Sequence, residues 1–84
     1  MVVDIATIVK ILRALAEKDG VTVSELIKRA HLSYSTASKY IPLMVEKRLI
    51  RVEARGRKKI VYITEHGLRV LAAGERFLQL LNMY

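Results

Sequence analysis

The chain has 84 residues, 52% of them apolar, and its 15 Lys and Arg against 8 Asp and Glu leave a net charge of +7 at neutral pH. That length holds one small domain with a modest core, and the charge points to polyanionic partners, nucleic acid before an anionic membrane surface. With no cysteine, a disulfide framework and thiolate chemistry are excluded, which suits a reducing setting.

Helix one is expected from Asp4 as N-cap to about Lys18, because Ile5, Ile8, Ile11, Leu12 and Leu15 recur at helical spacing and Gly20 can close the end. Although apolar, MVVDIATIVKIL is interrupted by Asp4 and Lys10 and reads as a helix of the mature chain, not a leader. Thr22 and Glu25 form a capping box, with Val21 and Leu26 as its hydrophobic staple, so helix two starts at Val23 and ends near Ala30. His31 occupies the following turn, where a residue tolerant of positive φ is needed. Ser33 caps helix three, whose Ala37, Ile41, Met44 and Val45 form one apolar stripe closed by Leu49 and Ile50.

From Ile50 the apolar period changes to two, and a Gly56-Arg57 turn of type II′ would pair Val52 with Val61 and Ile50 with Ile63. Thr64 caps the last helix, with Ile63 and Leu68 as staple and Leu68, Leu71 and Leu78 on its inward stripe. The expected fold is mainly α with a small β hairpin: a winged helix-turn-helix in the order helix, helix, helix, hairpin, helix. It forms a single domain over 1–84, with the helix-turn-helix over 22–49, the wing over 50–63 and a C-terminal dimerisation helix over 64–83.

This architecture gives the hydroxyls and cations a purpose. Ser33, Tyr34, Ser35, Ser38 and Lys39 fall in the cap and first two turns of helix three, the part a recognition helix inserts into a major groove. Arg55, Arg57, Lys58 and Lys59 crowd the wing tip, where they can follow a phosphate backbone or enter a minor groove. No Arg, Asn or Gln stands in the first half of helix three for bidentate base readout, so weak discrimination is expected. Lys39, Arg55, Arg57 and Lys58 would supply about four phosphate contacts per protomer, for a log–log salt slope of about −3 to −4. His31 and His66 lack ligand spacing, the serines lack an elbow motif, and the acids are scattered. No metal, cofactor or enzymatic role is expected.

Pro42 stands inside the helical pattern, just beyond the two groove-directed turns, and is expected to kink helix three there without ending it. The other reading has the helix breaking near Tyr40 and restarting with Pro42 in its first position. Tyr34 is expected either to contact DNA or to be half-buried at the rim, and Tyr40 to pack in the core or a dimer.

The segment AHLSYSTASKYIPLMVEKRLI, followed by a basic hairpin ending in YIT and then EHGLRVL, resembles the archaeal 10a family of small, basic, winged-helix DNA-binding proteins, often classed with chromatin proteins. The most telling pieces are LSY at Leu32–Tyr34, KYI at Lys39–Ile41 and YIT-x-x-G at Tyr62–Gly67. The resemblance implies a homodimer paired through the C-terminal helix, with Tyr34 and Lys39 on the DNA-facing helix and Arg55 to Lys58 in the wing. It departs from the family at Pro42, where a polar helix former is expected, and in a tail that stops at Tyr84. One Asn and one Gln in the chain suit a thermophilic source.

A second stripe on the last helix, Val70, Phe77, Leu81 and Tyr84, with Gly74 permitting close approach, is expected to be the self-association face. The chain is accordingly expected to bind double-stranded DNA as a homodimer of architectural, chromatin type, cytoplasmic and nucleoid-associated, without a membrane or an evident small-molecule ligand. The alternative is a site-specific winged-helix repressor of the kind a virus could encode; a third reading is an interaction module whose wing takes an acidic protein.

Overall fold

The computed structural model describes residues 3–82. Its elements are α1 (Ile5–Glu17), β1 (Val21–Thr22), α2 (Val23–Arg29), α3 (Tyr34–Glu46), β2 (Ile50–Arg55), β3 (Lys58–Ile63) and α4 (Glu65–Leu81), a winged-helix fold.

Each helix start is a side-chain oxygen satisfying an N–H that the first turn leaves free. Asp4 accepts from the Ala6 N–H, Thr22 from Glu25, Ser33 from Thr36 and Thr64 from Gly67. The ends of α2 and α3 share a Schellman arrangement. Leu32 N–H donates to the Ile27 carbonyl and Leu49 N–H to Met44, with His31 (φ 54°) and Arg48 (φ 61°) in the left-handed region. Helix three therefore stops at Glu46, short of Leu49.

The wing has the expected register, with Ile50 opposite Ile63 and Val52 opposite Val61. Gly56 takes φ 62° and Arg57 keeps a negative φ, as a type II′ turn requires. The sheet has a third strand beyond the expected hairpin. β1 pairs antiparallel with β3, Val21 opposite Val61 and Thr22 opposite Ile60, giving the order β1-β3-β2. Thr22 thus serves twice: its backbone closes the sheet and its hydroxyl caps α2. The root of the wing is tied directly to the helix-turn-helix.

The core gathers Val9, Ile11, Leu12 and Leu15 of α1 with Leu26, Met44, Ile50, Val61 and Leu71. α1 and α4 run antiparallel: Asp19 Oδ1 accepts from the Ile63 N–H (2.8 Å) at one end, and Val9 meets Gly74 farther along. Arg13 pairs with Glu75 across the same seam at 3.0 Å. Tyr40 packs against the core, and its hydroxyl accepts from the Asp4 N–H at 2.9 Å, fastening α3 to the start of α1.

Several packing expectations change. Val45 and Leu68 are exposed, because α3 and α4 turn Met44 and Leu71 inward instead. Val70 packs against the core and Gly74 faces Val9, where a Cβ would stand 2.6 Å from Val9 Cγ2. Those two positions therefore belong to the seam with α1, not to an outward stripe. The inward phase of α4 runs Gly67, Val70, Leu71, Gly74, Leu78. Phe77, Leu80 and Leu81 remain about half exposed beyond it, and Tyr84 lies outside the described residues. Helix α3 continues through Pro42, so the restart reading does not hold.

Candidate nucleic-acid interface

The start of α3 presents hydroxyls whose freedom differs. Ser33 is committed to the cap: its Oγ accepts from the Thr36 N–H (3.1 Å) and lies 3.1 Å from Ser35 Oγ and 2.8 Å from Thr36 Oγ1. Ser38 donates to the Tyr34 carbonyl at 3.0 Å, so its proton is spent within the helix and it meets a partner mainly as an acceptor. Tyr34 is 76% exposed, which removes the half-buried reading and leaves its ring and hydroxyl open to a ligand. Ser35 and Lys39 are exposed as well.

The wing brings cations to the same side. Arg57, Lys58 and Lys59 are exposed and form no ion pair among the described residues. Arg55 differs, with Glu53 3.7 Å from its guanidinium. Glu53 also holds Arg51, whose guanidinium stacks 4.4 Å from the Tyr62 ring centroid. The acid of the wing is thereby drawn along β2 toward Arg51, away from the tip.

Between wing and helix lies an open cleft of about 810 Å³. Tyr34 and Ser38 contribute from α3, and Arg57, Lys58 and Lys59 from the wing. Ser33, Ser35, Lys39 and Arg55 stand outside it. The wall consists of Ala37, Ile41, Pro42 and Val52, with the start of α2 at one edge. The cationic rim is legible in the sequence but this wall is not, because its residues come from α3 and β2 and only the fold brings them together. No carboxylate lines the cleft among the described residues.

Among the described residues no cluster of three His, Asp or Glu could hold a metal ion, and no helix is long and apolar enough to cross a membrane.

A family model described as winged helix-turn-helix matches residues 4–82. Among solved structures, the chain is similar to Sso10a-2, a DNA-binding protein from Sulfolobus solfataricus, at 23% identity and a TM-score of 0.85, covering 94% of this chain and 81% of that one. It is also similar to F93 from STIV, a winged-helix DNA-binding protein, at 16% identity and a TM-score of 0.79, covering 90% of each. A third similar structure is a MarR-family transcriptional regulator from Silicibacter pomeroyi, at 25% identity and a TM-score of 0.80, covering 88% of this chain and 51% of the regulator. The chain thus spans about half of that regulator's length. No curated protein matches it.

Proposed function

The chain belongs to the winged helix-turn-helix family, and from that premise we propose that it is a duplex DNA-binding protein of low sequence specificity and architectural type. The observation that carries this reading is the cleft: free cations of the wing face the hydroxyl-bearing first turns of α3 across a space that no carboxylate enters. A phosphodiester strand fits that charge, with α3 in the major groove and the wing beside it. Low specificity follows from side-chain chemistry. Tyr34, Ser35 and Lys39 can bond phosphates and single base-edge atoms, but none offers the paired donor and acceptor that separates one base pair from another.

The protein acts as a homodimer in this reading, located with the nucleoid in the cytoplasm. Support for the dimer comes from Phe77, Leu80 and Leu81, an apolar group on the end of α4 that the domain leaves uncovered, and from exposed Ile5 on antiparallel α1. The neighbouring DNA-binding proteins and the MarR-type regulator lend the general DNA-binding role support by analogy of fold.

The test is to equilibrate the protein with a random-sequence duplex pool at about 0.15 M salt and sequence the bound fraction. Binding without enrichment supports the architectural role. Enrichment of a two-fold motif would replace it with a site-specific regulator. No binding would sink both and leave an acidic protein partner for the wing.

A further inference from the structure

The wing cations and Lys39 account for phosphates, but the floor of a major groove would meet a different part of α3. Across the whole helix there is no Arg, Asn or Gln, the side chains that read a base pair through paired hydrogen bonds. What α3 presents outward past its first turn is largely carbon. Ser38, Pro42 and Val45 follow one another at i, i+4 and i+7 and so share one helix face. All are exposed, Val45 to 41%, while Ala37 and Met44 fill the inward side of the helix. Pro42 adds a ring of carbon with no backbone donor.

Among the groups that line a major groove, an apolar side chain matches the C5-methyl of thymine. Ser38 narrows the match further. Its proton goes to the Tyr34 carbonyl at 3.0 Å, so toward a base its Oγ accepts. An acceptor suits the amino group of adenine or cytosine and is repelled by O6 and N7 of guanine, and only an A·T pair sets an amino group and a methyl group side by side. We infer that α3 selects duplexes by their thymine methyl groups, packed against Pro42 and Val45, with the adenine amino group donating to Ser38 Oγ. The outcome is a bias in base composition without a positional motif, in keeping with low sequence specificity. This inference rests on the DNA-binding reading above and adds the chemical group that α3 detects.

The probe is one alternating A·T duplex, prepared either with thymine or with uracil throughout and titrated with the full chain at about 0.15 M salt. Uracil lacks only the methyl group and leaves the phosphates, the minor groove and the hydrogen-bonding edges in place. The thymine duplex should bind about fourfold or more tightly, the factor for burying one methyl-sized group. In the double variant Pro42→Ser and Val45→Ser the ratio of the two dissociation constants should fall to about one, whatever happens to the affinity itself. Both positions are exposed, so the core is untouched. The ratio is read within one protein, so a change in stability does not imitate the effect. Lys39→Ala, which removes a phosphate contact, should weaken both duplexes together and keep the ratio.

Equal affinity of the unaltered chain for the thymine and uracil duplexes would overturn the inference and leave the DNA-binding reading standing. A preference for A·T over G·C duplex that survives the change to uracil would do the same, by placing the selection in the minor groove with the wing. A ratio that persists in the double variant would overturn the assignment to Pro42 and Val45. No binding to either duplex would remove the inference and the DNA-binding reading together.

Discussion

Arg55 and Lys58 stand directly opposite each other on the last rung of the wing, joined by the Gly56-Arg57 turn. Like charges facing across a strand pair cost stability, about 0.2–1 kcal/mol, and Glu53 at 3.7 Å relieves only Arg55. A bound polyanion would remove that cost. Lys58→Glu should therefore raise stability by about 0.5 kcal/mol at low salt, an effect that fades as salt is added. It should also weaken duplex binding about tenfold, through loss of one phosphate contact and gain of a repulsion. Thermal melts and binding isotherms over a salt series measure both, and a drop in both quantities would contradict this account of the wing tip.

Gly67 and Gly74 lie on one face of α4, two turns apart, and each is small for a different neighbour. A Cβ on Gly67 would collide with the Leu49 carbonyl oxygen, which already accepts from the Thr64 N–H at 3.1 Å. A Cβ on Gly74 would meet Val9 Cγ2 at 2.6 Å. Alanine normally gains about 1 kcal/mol over glycine within a helix, so the sign of each substitution reports the clash. Gly67→Ala should cost about 3 kcal/mol because backbone must move. Gly74→Ala should cost about 1 kcal/mol, since α1 can shift by a few tenths of an ångström. Urea unfolding distinguishes them, and a stabilised Gly74→Ala would show that the α1–α4 seam has slack.

What the residues disclosed in advance divides along range. The capping bonds that Thr22, Ser33 and Thr64 accept each come from the N–H three residues on, and the Gly56-Arg57 turn sets the wing register by counting outward, so caps and hairpin were readable; the bonds from the Thr64 hydroxyl to the Arg48 and Leu49 carbonyls were not. β1 was not: two residues are too few to show alternation, and the partner that makes Val21 a strand lies 40 positions away at Val61. The same range explains Val70 and Gly74. Their side of α4 is apolar or small in sequence, but only the antiparallel contact with Val9 decides that the domain itself fills it. The cationic rim of the interface was legible as a charge cluster, whereas the wall of Ile41, Pro42 and Val52 depends on the wing's angle to α3.

In the proposed reading, the end of α4 supplies the surface for self-association. Phe77, Leu80 and Leu81 are 48%, 55% and 52% exposed, an apolar group at one helix end of the kind that can serve a protein contact. The double substitution Phe77→Glu and Leu81→Glu should convert a dimer to a monomer by sedimentation equilibrium at about 10–100 µM, burial of such side chains contributing about 1.5–3 kcal/mol each. Duplex affinity should fall with it, and the salt slope should roughly halve. Gly74→Ala, by contrast, should change stability and leave the oligomeric state alone. A dimer that survives the double substitution would move the interface elsewhere.

Pro42 sits inside α3 with four residues of helix still to follow, through Glu46. It cannot donate to the Ser38 carbonyl, and one turn earlier the Ser38 hydroxyl donates to the Tyr34 carbonyl at 3.0 Å. Two successive turns of the helix are thereby weakened where α3 passes from its exposed first half to the half anchored by Met44. A proline in that place costs about 3 kcal/mol in a regular helix, partly offset by the freedom it removes from the unfolded chain. Pro42→Ala should stabilise the protein by about 1–2 kcal/mol and bring exchange protection to the new amide at position 42. If the weakened turns serve to set the direction of Tyr34, Ser35 and Lys39, the same substitution should lower duplex affinity several-fold despite the gain in stability. Greater stability with unchanged affinity would assign Pro42 to the cleft wall alone, and neither change would leave it without a role in α3.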